Sequence, residues 1–104
     1  MDNQSQYEVE KNLVEIQLSG EKITSNTNDL DLIAKVGDKL YKDNREFIKE
    51  KIRDNWFVII EPVSGILFAS PDQVKLFEYV KEKYPERLFY SVGLLKENQV
   101  ALAR

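Results

Sequence analysis

Ser70 is one of the residues whose type and position could serve catalysis. It precedes Pro71, Asp72 and Gln73, a run that opens a helix, and the free N–H groups of a helix N-terminus can hold an anion. A nucleophilic serine needs a base, and the 104 residues include no histidine and no cysteine. Their absence excludes Ser-His-Asp and Cys-His catalysis, Cys/His zinc sites, haem held through histidine, and disulfides. The same residues also spell a capping box. Ser70 is then the N-cap, accepting from the N–H of Asp72 or Gln73, with Pro71 at the first helical position. Asp72 sits at the positive end of the dipole, and Gln73 reaches back to the Ser70 N–H. A cap is the expected role.

Other oxygen-bearing residues point the same way. Ser64-Gly65 lacks the flanking glycine of a G-x-S-x-G elbow and belongs to a turn. Asn26-Thr27-Asn28-Asp29-Leu30-Asp31 offers oxygens as a calcium loop does. It has no glycine at position six, however, and Gly37 stands at position twelve where a bidentate Glu is needed. It is expected to start a helix. Glu61 ends an apolar run before Pro62 and is expected to be solvated. An enzyme built from this chain would have to run on carboxylates and phenols, with Glu61, Tyr79, Tyr84 and Tyr90 as its candidates. No catalytic, cofactor-binding or metal-ligating set is assigned.

Charge suggests partners more than chemistry. Lys35, Lys39, Lys42, Arg45, Lys49 and Arg53 recur every three or four residues and line one helical face. Asp38, Glu46 and Glu50 lie among them, so a solvated face laced with ion pairs is the first reading. An acidic protein partner comes second and nucleic acid last, because the net charge is −3. The acids Glu8, Glu10, Glu15, Glu21, Asp29 and Asp31 suggest the converse, an antitoxin-like or regulatory protein that masks a basic partner. Leu76 and Tyr79 fall partly off the inward stripe of their helix, as part of either a wide buried face or an exposed patch for self-association.

The elements that must position these residues follow from periodicity. With 42% hydrophobic and 32% charged residues, the chain is a single folded domain, 1–104, with residues 1–11 frayed and its core mostly in 44–104. Val14, Ile16 and Leu18 alternate with polar partners and mark a strand. Leu30, Ile33, Val36/Gly37, Leu40 and Tyr41 mark a helix capped by Asn28 or Asp29. Asp43-Asn44-Arg45-Glu46 resembles a capping box for a second helix over 44–53 that buries Phe47, Ile48 and Ile52. One continuous helix over 29–53 is the alternative, since the two apolar stripes stay in phase. Trp56-Phe57-Val58-Ile59-Ile60 predicts a central strand covered on both faces. Pro62-Val63-Ser64-Gly65 turns into a hairpin partner, Ile66-Leu67-Phe68-Ala69. The helix from Ser70 runs to about Lys83, with Val74, Phe77, Val80 and Tyr84 inward. Strands over Leu88–Leu95 and Gln99–Ala103 complete the order β-α-α-β-β-α-β-β. This is an α+β fold, a mainly antiparallel sheet with helices packed on it. Residues from Ile66 to Leu95 could form one β-α-β crossover within it. Trp56 and Phe77 are expected in the core.

Residues 43 to about 95 carry Trp56 and Val58 in a strand after a short helix, Gly65 in a hairpin, and Ala69-Ser70 before a helix. In this order they resemble a family of small bacterial and archaeal domains of unknown function, built from a helix, a Gly-Lys-Trp-Val-Ala-like strand, a glycine hairpin and a helix. The glycine before tryptophan is missing here. The resemblance implies the fold and no activity.

The functional expectation is a small, non-enzymatic protein-interaction domain, a homodimer or a binder of a protein partner, whose terminal hairpin presents an edge for strand pairing. The longest apolar run is Trp56 to Ile60, too short to span a membrane. The polar start of the chain lacks a signal peptide's apolar region, so the expected location is the cytoplasm.

Overall fold

The computed structural model describes residues 12–53 and 55–92, together with the strands 8–10 and 100–103. The elements are β1 (Glu8–Glu10), β2 (Leu13–Gln17), α1 (Leu30–Asp43), α2 (Arg45–Lys51), β3 (Phe57–Glu61), β4 (Ile66–Ser70), α3 (Gln73–Lys83), β5 (Phe89–Val92) and β6 (Val100–Ala103). The expected α+β order is present, preceded by β1 where fraying was expected. The helical pattern over 29–53 resolves into two helices. The expected continuation of β5 to Leu95 and the turn at 96–98 lie outside the described residues.

The strands form one sheet in the order β1-β2-β4-β3-β5-β6, and every neighbouring pair is antiparallel. The apolar run of β3 therefore sits inside the sheet, between β4 and β5. Because both flanking strands oppose β3, they run parallel to each other, and α3 joins them. The expected crossover exists, with β3 inserted between its two strands.

Alternation along the strands sends side chains to two separate cores. On one face Ile16, Leu18, Val58, Ile60, Leu67, Tyr90 and Val92 pack with Leu40 and Tyr41 of α1 and with Ile48 and Ile52. On the other, Leu13, Ile59, Phe68 and Phe89 pack with Leu76 and Val80 of α3. Most fully buried apolar residues follow residue 44, but Ile16, Leu18, Ile33 and Leu40 are equally deep. Among the described residues no helix is long and apolar enough to cross a membrane.

α1 comes down on β5 at Gly37, where an added Cβ would lie 2.5 Å from Cβ and Cγ of Tyr90. A glycine within a helix costs about 1 kcal/mol in propensity; here it allows the helix backbone to touch the sheet. The Tyr90 hydroxyl then donates to Asp38 Oδ1 at 2.9 Å. Asp29 caps α1 by accepting from the Leu32 N–H.

Three local expectations change. The capping box at Asp43 does not form: Asp43 is the last residue of α1, and Asn44 joins the two helices. Asn44 is buried, its Nδ2 donating to the carbonyls of Ser19 and Leu40 and its Oδ1 accepting from the Ser19 N–H. Its amide is thus committed to tertiary bonds. Trp56 and Phe77 are only half-buried, since Trp56 precedes β3 and Phe77 lies on the flank of α3. The large rings at full depth are Phe68, Phe89 and Tyr90. Finally, the inward stripe of α3 is centred on Leu76 and Val80, both fully buried, while Val74 is 65% exposed. Leu76 and Tyr79 therefore belong to a wide packed face.

Candidate functional site

Ser70 is the last residue of β4, paired with Phe57 across the sheet. Its Oγ accepts from the Asp72 N–H at 3.1 Å, as expected, but it is not the N-cap. Asp72 is the cap, its Oδ1 accepting from the Lys75 N–H at 3.1 Å. Asp72 has an extended backbone (φ −105°, ψ 104°) and a carboxylate that suits the helix dipole. Pairing with β3 keeps Ser70 extended and shifts the helix start by two residues, so Gln73 is the first helical residue and cannot close a box.

Ser70 and Asp72 line a polar cleft of about 380 Å³ with Asn12, Leu13, Lys75, Glu78, Tyr79 and Glu82. Tyr79 donates to Glu15 Oε1 at 3.0 Å, and Lys83 reaches Glu15 Oε2 at 2.8 Å. Burial, followed by this bond, raises the Tyr79 phenol above its ordinary pKa, and the same carboxylate raises Lys83. Both shifts favour the protonated forms, and the two bonds to Glu15 clamp β2 to α3.

Glu61 is not solvated. It is fully buried; its carboxylate accepts from the Val63 and Ser64 N–H groups at 2.9 and 2.8 Å and from Arg87 Nη1 at 2.7 Å. Arg87 in turn stacks over the Tyr84 ring at 4.8 Å. A buried carboxylate persists only when its lone pairs are so occupied. The signal was Arg87, 26 residues away, and no local pattern links the two. Ser64 is part of the same turn, and Gly65 has the positive φ of 77° expected of its terminal glycine.

The four carboxylate and phenol candidates do not share one site. Tyr79 lines the polar cleft, Glu61 and Tyr84 are joined through Arg87, and Tyr90 lies in the core beneath α1. In the loop before α1, Asn26 donates to the Glu86 carbonyl, Thr27 Oγ1 accepts from Asp29 N–H, and Asp29 caps the helix. Thr27 Oγ1 and Asp29 Oδ1 thus serve the loop and the helix cap. Among the described residues no group of three or more acids could hold a metal ion.

Lys35, Lys39, Lys42, Arg45, Lys49 and Arg53 are all exposed. Two of them form i,i+4 pairs, Lys39 with Asp43 at 2.9 Å and Lys42 with Asp38 at 3.0 Å. The hydrogen bond to Asp43 raises the pKa of Lys39. Of the acids, Glu15 is turned to α3, where it meets Tyr79 and Lys83, and Asp29 is exposed at the start of α1, which it caps. Missed by the sequence reading is a second cleft, of about 390 Å³, between residues 21–24 and α1, lined by Ile23, Leu32, Val36, Lys22, Lys35 and Lys39 together with Glu21 and Thr24.

No family model, no curated protein and no solved structure matches this chain.

Proposed function

We propose that the chain is a small protein-interaction domain that self-associates through β6. The observation carrying this reading is the contrast between the two edges of the sheet. β1 has the sequence Glu-Val-Glu and β6 has Val-Ala-Leu-Ala. Charged residues on an edge strand discourage further pairing, whereas an uncharged, proline-free edge invites it. β6 is held to β5 over Val92↔Val100 to Phe89↔Ala103, and its other side has no partner among the described residues. An antiparallel pair of β6 strands would be self-complementary and would join two sheets under two-fold symmetry. The resemblance over residues 43–95 adds a proposed family but no activity.

Sedimentation equilibrium tests the reading. The wild-type chain is expected as a dimer and an Ala101→Lys/Ala103→Lys variant as a folded monomer. A wild-type chain that stays monomeric at high concentration overturns it.

A further inference from the structure

The cleft between residues 21–24 and α1 is lined by more positive than negative side chains. Lys22, Lys35 and Lys39 face a single Glu21 around it, in a chain whose net charge is −3. Its floor is apolar: Ile23 is 8% exposed and Val36 half-buried, while Leu32, at 37%, is one of two large hydrophobics exposed among the described residues. Exposing a leucine beside a buried isoleucine leaves an apolar surface that an aliphatic side chain would cover. The cleft's walls are held independently of any ligand, because Ile23 N–H donates to the Pro62 carbonyl at 3.0 Å and Leu32 N–H to the Asp29 cap.

The rim is equally available. Lys35 has no ion pair among the described residues. Lys39 is 62% exposed in its pair with Asp43, the kind of surface contact that contributes little and is readily exchanged. Among the described residues Lys22 donates to the Gly20 carbonyl alone. Lys35 and Lys39 stand one helical turn apart, about 6 Å, close to the ~7 Å between alternate residues of an extended peptide. Lysine ammoniums are point charges on flexible stems, which pair with an anionic side chain without demanding one fixed geometry. An apolar floor inside a ring of such charges fits carboxylates flanking an aliphatic residue.

We infer that this cleft docks an acidic peptide segment of a partner protein, anchored by an aliphatic side chain in the hollow over Ile23, Leu32 and Val36 and steered by Lys22, Lys35 and Lys39. The inference deepens the reading of the chain as an interaction domain and uses a surface separate from β6.

The test is selection from a displayed library of short random peptides on the immobilised chain, followed by titration of the enriched peptides in fluorescein-labelled form. Enriched sequences are expected to carry two or more Asp or Glu residues around Leu, Ile or Val. Their affinity should fall about tenfold or more in Lys35→Glu/Lys39→Glu and in Leu32→Ser, with circular dichroism unchanged, and should weaken with added salt. No enrichment, enrichment of basic or charge-indifferent peptides, or affinities that ignore both variants would overturn the inference. The Ala101→Lys/Ala103→Lys variant separates the two proposals: it should bind the peptides as wild type does. Peptide binding by a chain that never dimerises sinks only the β6 reading, and a dimer that selects no acidic peptide sinks only this one.

Discussion

The two faces of the sheet bring their helices in by opposite means. Under α1 the contact is made by leaving a side chain out, since Gly37 lets the helix backbone meet Tyr90, and a buried Asn44 ties the α1–α2 junction to Ser19. Under α3 the contact is made by filling space with rings. Phe68 receives Tyr79 and Tyr84 edge-on, at 5.8 and 6.2 Å between centroids, and Phe77 leans on Phe89 at 5.9 Å. At the border of this face, Glu15 with Lys83 and Glu61 with Arg87 close the layer with ion pairs. One face should be intolerant of added volume and the other of removed volume.

The largest effect is expected on the ring-filled face. Phe68 is fully buried among aromatics, so Phe68→Ala should cost about 3–5 kcal/mol, enough to threaten a fold of typical stability. Denaturant unfolding measures it, and a loss well under that range would mean that Tyr79 and Tyr84 collapse into the space.

Next comes the opposite operation on the other face. Gly37→Ala adds one carbon where none fits, and overpacking costs about 1–3 kcal/mol, against about 1 kcal/mol gained in helix propensity. A net loss is expected by thermal unfolding. A stabilised variant would show that α1 does not rest directly on Tyr90.

A smaller effect distinguishes the two oxygens at the start of α3. Asp72→Ala should cost about 1 kcal/mol as the loss of an N-cap. Ser70→Ala, which removes one turn bond at a strand end, should cost less. Equal losses, or the reverse order, would return the cap to Ser70.

The smallest effect is a pH dependence. Burial first, and then the hydrogen bond to Asp38, raises the Tyr90 phenol above its ordinary 10.0; burial and Glu15 do the same to Tyr79. The folded state thus favours the protonated phenols. Their contribution is fully present below the ordinary pKa and is lost as pH climbs past it toward the folded values. Stability followed in denaturant should therefore decline above about pH 10. Tyr90→Phe should flatten the decline more than Tyr79→Phe, because Tyr90 is only 2% exposed and Tyr79 half-buried. The opposite ranking would place the deeper phenol on the α3 face.

Much of this was legible in the residues themselves. The five apolar residues 56–60 announced an inner strand, and β3 is one. The turn at 62–65 and the stop at Tyr84-Pro85 were also visible, because such signals act within a few bonds. The candidate site was less legible. The basic stripe could be read from its spacing. The cleft beside it could not, because Ile23 and Leu32 meet only after residues 21–24 fold back against α1.

By itself, then, the sequence determined the kinds of element and their order from β2 onward, through period and turn chemistry, while the absence of histidine and cysteine bounded only the chemistry. Tertiary structure decided the rest. Pairing with β3 drew Ser70 into the sheet and passed the cap to Asp72. Arg87 made burial of Glu61 tolerable, and Tyr90 made Gly37 necessary. Packing on Phe68 set the phase of α3 around Leu76 and Val80. The division has one physical cause: propensity and periodicity act between neighbours along the chain, whereas register, burial and the pairing of buried charges depend on residues that meet only once the sheet has formed.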